Sequence, residues 1–337
     1  MATTEKIDRA LAKGIISIQT ARALKKYNDL LGQKNLPIIY NLRHLRKILN
    51  IQWKEQDKFF GKKRNEYHIF TIPKKNGTMR IIEAPSDRLK KYQIWIKENI
   101  LDRMVVSDSA KGFKRNCSIL DNAKEHINKE LVINIDLKDF FPSITYDMVY
   151  EIFVNAGYTT GVSHLLTRLC TNKKNVLPQG SPASPIISNI VCSKLDKRLF
   201  SLAKKYKCSY TRYADDITFS GNAGIKNMLP TVKKIIAEER FVINDSKVRL
   251  QYRNMRQVVT GLIVNKRITV SPQLSKEIER AIYYSLKYGV EDHMKRIGCN
   301  KSFYKEHLYG IAYFIKMVDN HKGENYLARL DKINWPY

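Results

Sequence analysis

Apolar residues recur at helical spacing through residues 5 to about 50, most clearly in "KIDRALAKGI" and "LRHLRKILNI", on a basic background. The period then changes. "YHIFTIPKKNGTMRIIEAPS" holds two β-rich runs around Lys75-Asn76-Gly77, a hairpin whose tip carries Lys74, Lys75 and Arg80. Residues 89–104, "LKKYQIWIKENILDRM", form an amphipathic pattern, and 131–137, "LVINIDL", an apolar strand ending on an aspartate. Residues 145–170 and 184–206 read as mainly helical, with the loop "NVLPQGSPASP" between them. "TRYADDITFSG", 211–221, is a strand-turn-strand unit, "VKKIIAEERFVIN" a helix then a strand, and "RQVVTGLIVNKRITVS" a second hairpin. Ser271-Pro272 opens a tail that stays helical to the end. The pattern predicts an α+β protein with an all-helical end, without internal repeats or a flexible linker.

Charge narrows the partners. The 337 residues include 60 Lys and Arg against 32 Asp and Glu, a net charge of +28 spread along nearly the whole length. Such a chain can bury a real core as two or three subdomains. Its surface attracts polyanions through counterion release, so nucleic acid is the expected partner, ahead of a generic basic surface. The five cysteines are odd in number and form no C-x-x-C pair, which disfavours a zinc site or a disulfide framework. No stretch reaches the roughly 20 apolar residues of a membrane span, and the charged N-terminus lacks a signal-peptide core. A soluble, cytoplasmic protein with no membrane partner is expected.

The candidate chemistry lies in the carboxylates. Asp136 ends an apolar run and should project from the strand end, while Asp215 and Asp216 stand side by side at a hairpin tip. If that strand lies beside the hairpin, three carboxylates converge and raise one another's pKa values. Two Mg²⁺ ions would relieve the repulsion, because hard cations prefer oxygen ligands and complete their shells with water and phosphate. Such a pair can activate a hydroxyl and stabilise a leaving pyrophosphate. Without that convergence, the same residues are an ordinary polar turn and a strand-end aspartate.

Four stretches in order resemble the reverse transcriptases: the basic hairpin around residue 75, "NIDLKDFF" (134–141), "LPQGSPASP" (177–185) and "YADD" (213–216). The resemblance implies a right-hand polymerase fold, with fingers, a palm of antiparallel sheet plus helices, and a helical thumb. It implies that Asp136, Asp215 and Asp216 hold the metals, and that Phe141 excludes a ribonucleotide's 2′-hydroxyl unless it is simply a core phenylalanine. Gln179 and Gly180 would cradle nucleotide and template, and Lys74 and Arg80 would clamp the triphosphate rather than form a solvated turn. Lys247 would protonate the leaving pyrophosphate, or else be a surface lysine. "VVTGLIVN" (258–265) would grip the primer end. The tail would be the thumb, following duplex shape and phosphates; Tyr283, Tyr284 and Tyr288 are candidates to face nucleic acid, although their spacing puts some of them in the core.

Within that family, Asn122-Ala123-x-x-His126 resembles the N-A-x-x-H element of retron reverse transcriptases, and Val259-Thr260-Gly261 their V-T-G element, which implies that Asn122, His126, Val259, Thr260 and Gly261 contact nucleic acid. On spacing alone, His126 is also a helix-surface histidine one turn after Asn122. The resemblance covers about residues 60–270. It implies an N-terminal helical extension (1–55), fingers with the N-A-x-x-H element (56–130), a palm with interleaved fingers helices (131–270) and a thumb (271–337). It further implies copying of a partner non-coding RNA into DNA from dNTPs, primed at a guanosine 2′-hydroxyl to give branched RNA–DNA, with an effector protein in phage defence. No ribonuclease H, endonuclease or maturase domain is expected after the thumb. The alternatives are a reverse transcriptase of another bacterial group (group II intron-like or template-independent) and a non-catalytic RNA-binding scaffold. An RNA-dependent RNA polymerase is disfavoured by Phe141.

Overall fold

The computed structural model describes residues 2–61, 66–73, 77–298 and 303–336. The N-terminal basic stretch forms α1 (Ala2–Ala12), α2 (Ile18–Gln33), α3 (Leu42–Leu49) and α4 (Gln56–Phe60). Ser17 and Asn41 cap α2 and α3 by accepting from the Thr20 and His44 amides, which satisfies donors that a helix start leaves unpaired. β1 (Tyr67–Pro73) and β2 (Met79–Pro85) pair antiparallel, with Thr71 opposite Ile81, and α5 (Asp87–Asn99) follows. The amphipathic pattern to residue 104 ends early, because Ile100 leaves helical geometry and Leu101–Arg103 tightens into a 3-10 turn. Ile100 and Leu101 are wholly buried there, so packing decides the last turn.

Next come α6 (Ile119–Lys124), β3 (Leu131–Asp136), α7 (Phe140–Ser143), α8 (Tyr146–Ala156), α9 (Thr160–Cys170), α10 (Ser184–Val191) and α11 (Ser193–Lys205). β4 (Ser209–Tyr213) and β5 (Asp216–Gly221) form the predicted strand-turn-strand unit, and α12 (Leu229–Glu238) follows. The strand expected in "FVIN" is absent: Ile243 makes only an isolated bridge to Leu137. The chain instead turns through Asp245–Lys247 and pairs later, as β6 (Arg249–Tyr252). The buried position of β6 is Gln251, so this strand lacks the apolar alternation that would announce it. β7 (Val258–Val259) and β8 (Leu262–Ile263) are the short second hairpin, and the tail is α13 (Pro272–Tyr288), α14 (Val290–Arg296), α15 (Tyr304–Val318) and α16 (Asn320–Leu330). Among the described residues, no helix is long and apolar enough to cross a membrane.

The chain packs as two compact units built from separated stretches. The first comprises Met1–Lys114, Leu137–Leu199 and Thr231–Asn244, and holds the β1–β2 hairpin and the helices around it. The second comprises Arg115–Asp136, Phe200–Pro230 and Asp245–Tyr337. Its centre is an antiparallel sheet in the order β4-β5-β3-β6. Leu131, Val132, Ile133, Ile135, Ile217 and Phe219 are buried in this sheet. Ala123 of α6 joins Val132, Val259, Leu262 and Val264 in one apolar cluster, while Ile278, Ile282, Leu308, Ala312, Ile315 and Leu330 form the core of the tail helices.

Candidate active site

β3 and β5 are buried along their length and each carries an aspartate at its open end. Their register sets Asp136 directly opposite Asp216. The β4–β5 ladder closes at Tyr213 and Asp216, so Ala214 and Asp215 are the two turn residues. Ala214 has φ +57° and Asp215 does not share it, the φ signature of a type II′ turn, where glycine is the favoured first residue. A left-handed alanine costs on the order of 1 kcal/mol or more. Arg212, wholly buried, holds the turn by donating from Nη1 to the Ala214 carbonyl at 3.0 Å.

Lys247 reaches the same end of the sheet, its Nζ donating to Asp136 Oδ2 at 2.9 Å. That bond holds the ammonium above the usual lysine pKa. Asn134, Ile135, Asp136, Asp216, Ser246, Lys247 and Arg249 line a cleft of about 270 Å³. Burial pushes the Asp216 carboxyl up to about 6, and the neighbouring Asp215 and Asp136 push in the same direction against Arg249 and Lys247. Among the described residues, no group of three or more carboxylate, imidazole or thiolate side chains is already arranged to hold a metal ion. The chemistry of the donor set nonetheless fits a hard divalent cation: burial raises the Asp216 carboxyl, Asp215 and Asp136 raise it further, and positive charge relieves both effects. The Lys247 ammonium already places such a charge on Asp136.

The other expected substrate residues lie in the first unit. Gln179 is half-buried, and its carbonyl accepts from the Glu83 amide of β2 at 2.8 Å. Gly180 has φ +142°, and a Cβ there would lie 2.6 Å from the Glu83 carbonyl oxygen. Its glycine is therefore required by the loop's contact with β2. Gln93 of α5 anchors the loop, accepting from Ser181 Oγ at 2.8 Å and donating to the Leu169 carbonyl at 2.8 Å. Phe141 is partly exposed, beside Phe140 and Phe113 at ring-centroid distances of 5.4 and 6.1 Å. Arg80 is exposed on β2, opposite Ile72. Lys74 lies outside the described residues.

The two short motifs meet inside the second unit. Val259, Thr260, Gly261 and Leu262 make a two-residue hairpin with positive φ at Thr260 (+45°) and Gly261 (+85°), the type I′ pattern. Asn122 Nδ2 donates to Thr260 Oγ1 at 3.4 Å. The expectation that Asn122 and His126 face nucleic acid is corrected by their burial, at 1% and 0% exposure. Both His126 ring nitrogens are taken, Nδ1 by Ser220 Oγ and Nε2 by Thr211 Oγ1, each at 2.7 Å. Val259 is also wholly buried, while Gly261 is exposed. In the tail, Tyr283, Tyr284 and Tyr288 are all exposed, at 50%, 40% and 40%, so none is core. The buried stripe of α13 runs instead through Ser275, Ile278, Ala281, Ile282 and Ser285. Lys287 lies over the Tyr283 and Tyr288 rings and Arg296 over Tyr288, giving a cationic aromatic surface.

Sequence reasoning missed Arg212, Gln93, Ser246 and Arg249. Arg212 alone left a signal, a basic residue inside an otherwise buried strand.

Comparison with known proteins bears on this geometry. The family described as reverse transcriptase (RNA-dependent DNA polymerase) matches residues 72–264. The Retron Ec86 reverse transcriptase of Escherichia coli is 35% identical over 311 residues, covering 90% of this chain and 92% of that protein. The Retron Mx162 reverse transcriptase of Myxococcus xanthus is 32% identical over 359 residues, covering 97% and 69%. The Retron Mx65 reverse transcriptase of the same organism is 32% identical over 286 residues, covering 79% and 64%.

Proposed function

This chain belongs to the reverse transcriptases, of the retron type, and is an RNA-directed DNA polymerase with the right-hand fold of that family; on that premise we propose that it copies a partner non-coding RNA into DNA from a guanosine 2′-hydroxyl, leaving a branched RNA–DNA product. The observation that carries the chemistry is the register of Asp136 against Asp216, with Asp215 at the turn beside them. Reverse transcriptases depend on divalent metal, and here Asp136, Asp215 and Asp216 would hold two Mg²⁺ ions. When bound, such ions neutralise the triphosphate and lower the pKa of the attacking hydroxyl.

The remaining roles fall to this chain's own side chains. Lys247, protonated and facing Asp136, donates a proton to the leaving pyrophosphate. Arg80 and Lys74 bind triphosphate oxygens, Arg80 through its planar fork. Phe141 excludes a ribose 2′-hydroxyl by contact with its ring. Gln179 and Gly180 border the nucleotide and template. The Val259–Gly261 hairpin supports the primer end, and the Tyr283, Lys287, Tyr288 and Arg296 surface follows the growing duplex by stacking and charge. RNA is thus both template and first primer, dNTPs are the substrates, and an effector protein joins the RNA–DNA product in defence against phage. That last role rests on family analogy.

The test is nucleic acid that co-purifies when the protein is expressed with its native flanking DNA. It is run on a denaturing gel before and after RNase, DNase and a 2′–5′ debranching enzyme, with Asp215→Asn in parallel. A discrete debranching-sensitive RNA–DNA species, absent from the variant, is the expected result. DNA indifferent to debranching, with no branched precursor, overturns the priming step. RNA without DNA in either sample overturns the polymerase.

A further inference from the structure

Two buried hydrogen-bonded routes connect the strands that carry the aspartates to the β7–β8 hairpin. One crosses the sheet: Asn134 Nδ2 donates to Thr218 Oγ1 at 3.2 Å, Gln251 Nε2 donates to Asn134 Oδ1, and the Val258 amide donates to Gln251 Oε1 at 2.8 Å. The other passes through α6. His126, just beyond its C-terminus, bridges Thr211 of β4 and Ser220 of β5, each at 2.7 Å. From the middle of α6, Asn122 donates to Thr260 Oγ1, and the Thr260 hydroxyl reaches the carbonyl of Ile119, at the helix start, at 3.5 Å.

We propose that α6 is a strut that fixes the distance between the Val259–Gly261 hairpin and the aspartate-bearing hairpin, and that His126 is the positioning residue at its foot. The proposal rests on the reading of Val259–Gly261 as the support of the primer end. Three features carry it. A six-residue helix is too short to hold its own shape in water, so its contacts set its place. At its start, Ser118 and Asp121 form a reciprocal capping box, with the Ser118 amide donating to Asp121 Oδ2 at 2.9 Å. At its far end, a buried imidazole spans two strands with both nitrogens satisfied, an arrangement that an apolar side chain of similar size would pack but not orient.

The hairpin end is over-determined in the same way. Thr260 is β-branched yet sits at φ +45°, a conformation that persists only where the surroundings impose it. Ala123 packs into one apolar cluster with Val259, Leu262 and Val264, so α6 and the hairpin move together. The strut therefore transmits the place of β4 and β5 to the hairpin. A misplacement of about 1 Å between reacting groups costs on the order of a hundredfold in rate.

The test compares His126→Leu, His126→Gln and Thr260→Val in the full chain by hydrogen exchange and by single-nucleotide addition to a DNA primer on RNA at saturating dNTP. In folded His126→Leu the Thr260–Leu262 amides should exchange faster and addition should slow by about tenfold or more, with RNA affinity unchanged. Glutamine, with one donor and one acceptor, should restore most of the rate, which a purely space-filling role does not predict. Thr260→Val should reproduce the loss, and adding it to His126→Leu should cause little further loss, as for two ends of one strut. Wild-type exchange at the hairpin with only β4–β5 loosened overturns the strut. Faster hairpin exchange with a normal addition rate overturns the positioning role and the primer-end reading together. If His126→Leu does not fold, a normal rate in Thr260→Val overturns the proposal.

Discussion

Lys247 Nζ stands 2.9 Å from Asp136 Oδ2, so a divalent cation held by Asp136, as proposed, would compete with the ammonium for one carboxylate oxygen. Lys247→Met should therefore split two quantities that usually move together. The rate of nucleotide addition should fall by on the order of a hundredfold, the usual contribution of a general acid. The Mg²⁺ concentration giving half-maximal rate should fall too, because Asp136 is released. Rates measured across a magnesium titration check both.

Asp216 is the carboxylate whose ionisation the fold resists, with its pKa pushed up to about 6 by burial, Asp215 and Asp136. A carboxyl raised above its unfolded value binds more protons folded than unfolded. Its penalty is absent below the unfolded pKa and grows as pH rises through about 6. Asp216→Asn in EDTA should be more stable than wild type by roughly 1–3 kcal/mol at pH 7.5, melting a few degrees higher. The gain should vanish by about pH 4. Melting curves at the two pH values check this, and the variant should make no DNA.

Phe141 projects from an aromatic group with Phe140 and Phe113 rather than disappearing into the core. Phe141→Val should keep the fold and raise kcat/KM for ribonucleotides relative to deoxynucleotides by about tenfold to a hundredfold. Competition between dGTP and GTP on one RNA template measures the ratio.

Gly180 approaches β2 so closely that a Cβ would lie 2.6 Å from the Glu83 carbonyl oxygen, at φ +142°. Gly180→Ala should cost about 1–3 kcal/mol in stability, since both clash and backbone strain oppose it. Because the Gln179 carbonyl pairs with the Glu83 amide, the loop should lift and KM for dNTP should rise in the folded variant. Thermal melts and steady-state kinetics separate the two effects.

How much of this was legible in the chain depends on how local the cause is. β3 could be read because its apolar run ends on Asp136, and β4–β5 because β-rich runs flank a two-residue turn. β6 could not, because its buried residue is Gln251, whose amide is satisfied by the Val258 backbone of the next strand. His126 resembled a helix-surface residue one turn past Asn122. α6 ends at Lys124, so that helical argument no longer applies at position 126 and the ring turns inward to Thr211 and Ser220. Those partners lie 85 and 94 residues along the chain, beyond the reach of any local pattern. The tyrosines of α13 show the reverse: a mixed aromatic face looked half-buried, yet Ile278 and Ile282, with the small residues Ser275, Ala281 and Ser285, fill the inner stripe.

On the proposed function, the aspartates at the open end of the sheet carry out DNA synthesis on RNA. The most direct measurement is dNTP incorporation on an RNA template by wild type and Asp215→Asn, with RNA affinity measured on the same preparations. DNA synthesis in wild type, its loss in the variant and equal RNA affinity in both are the expected result. Equal synthesis in the two proteins, or none in wild type despite tight RNA binding, would contradict it.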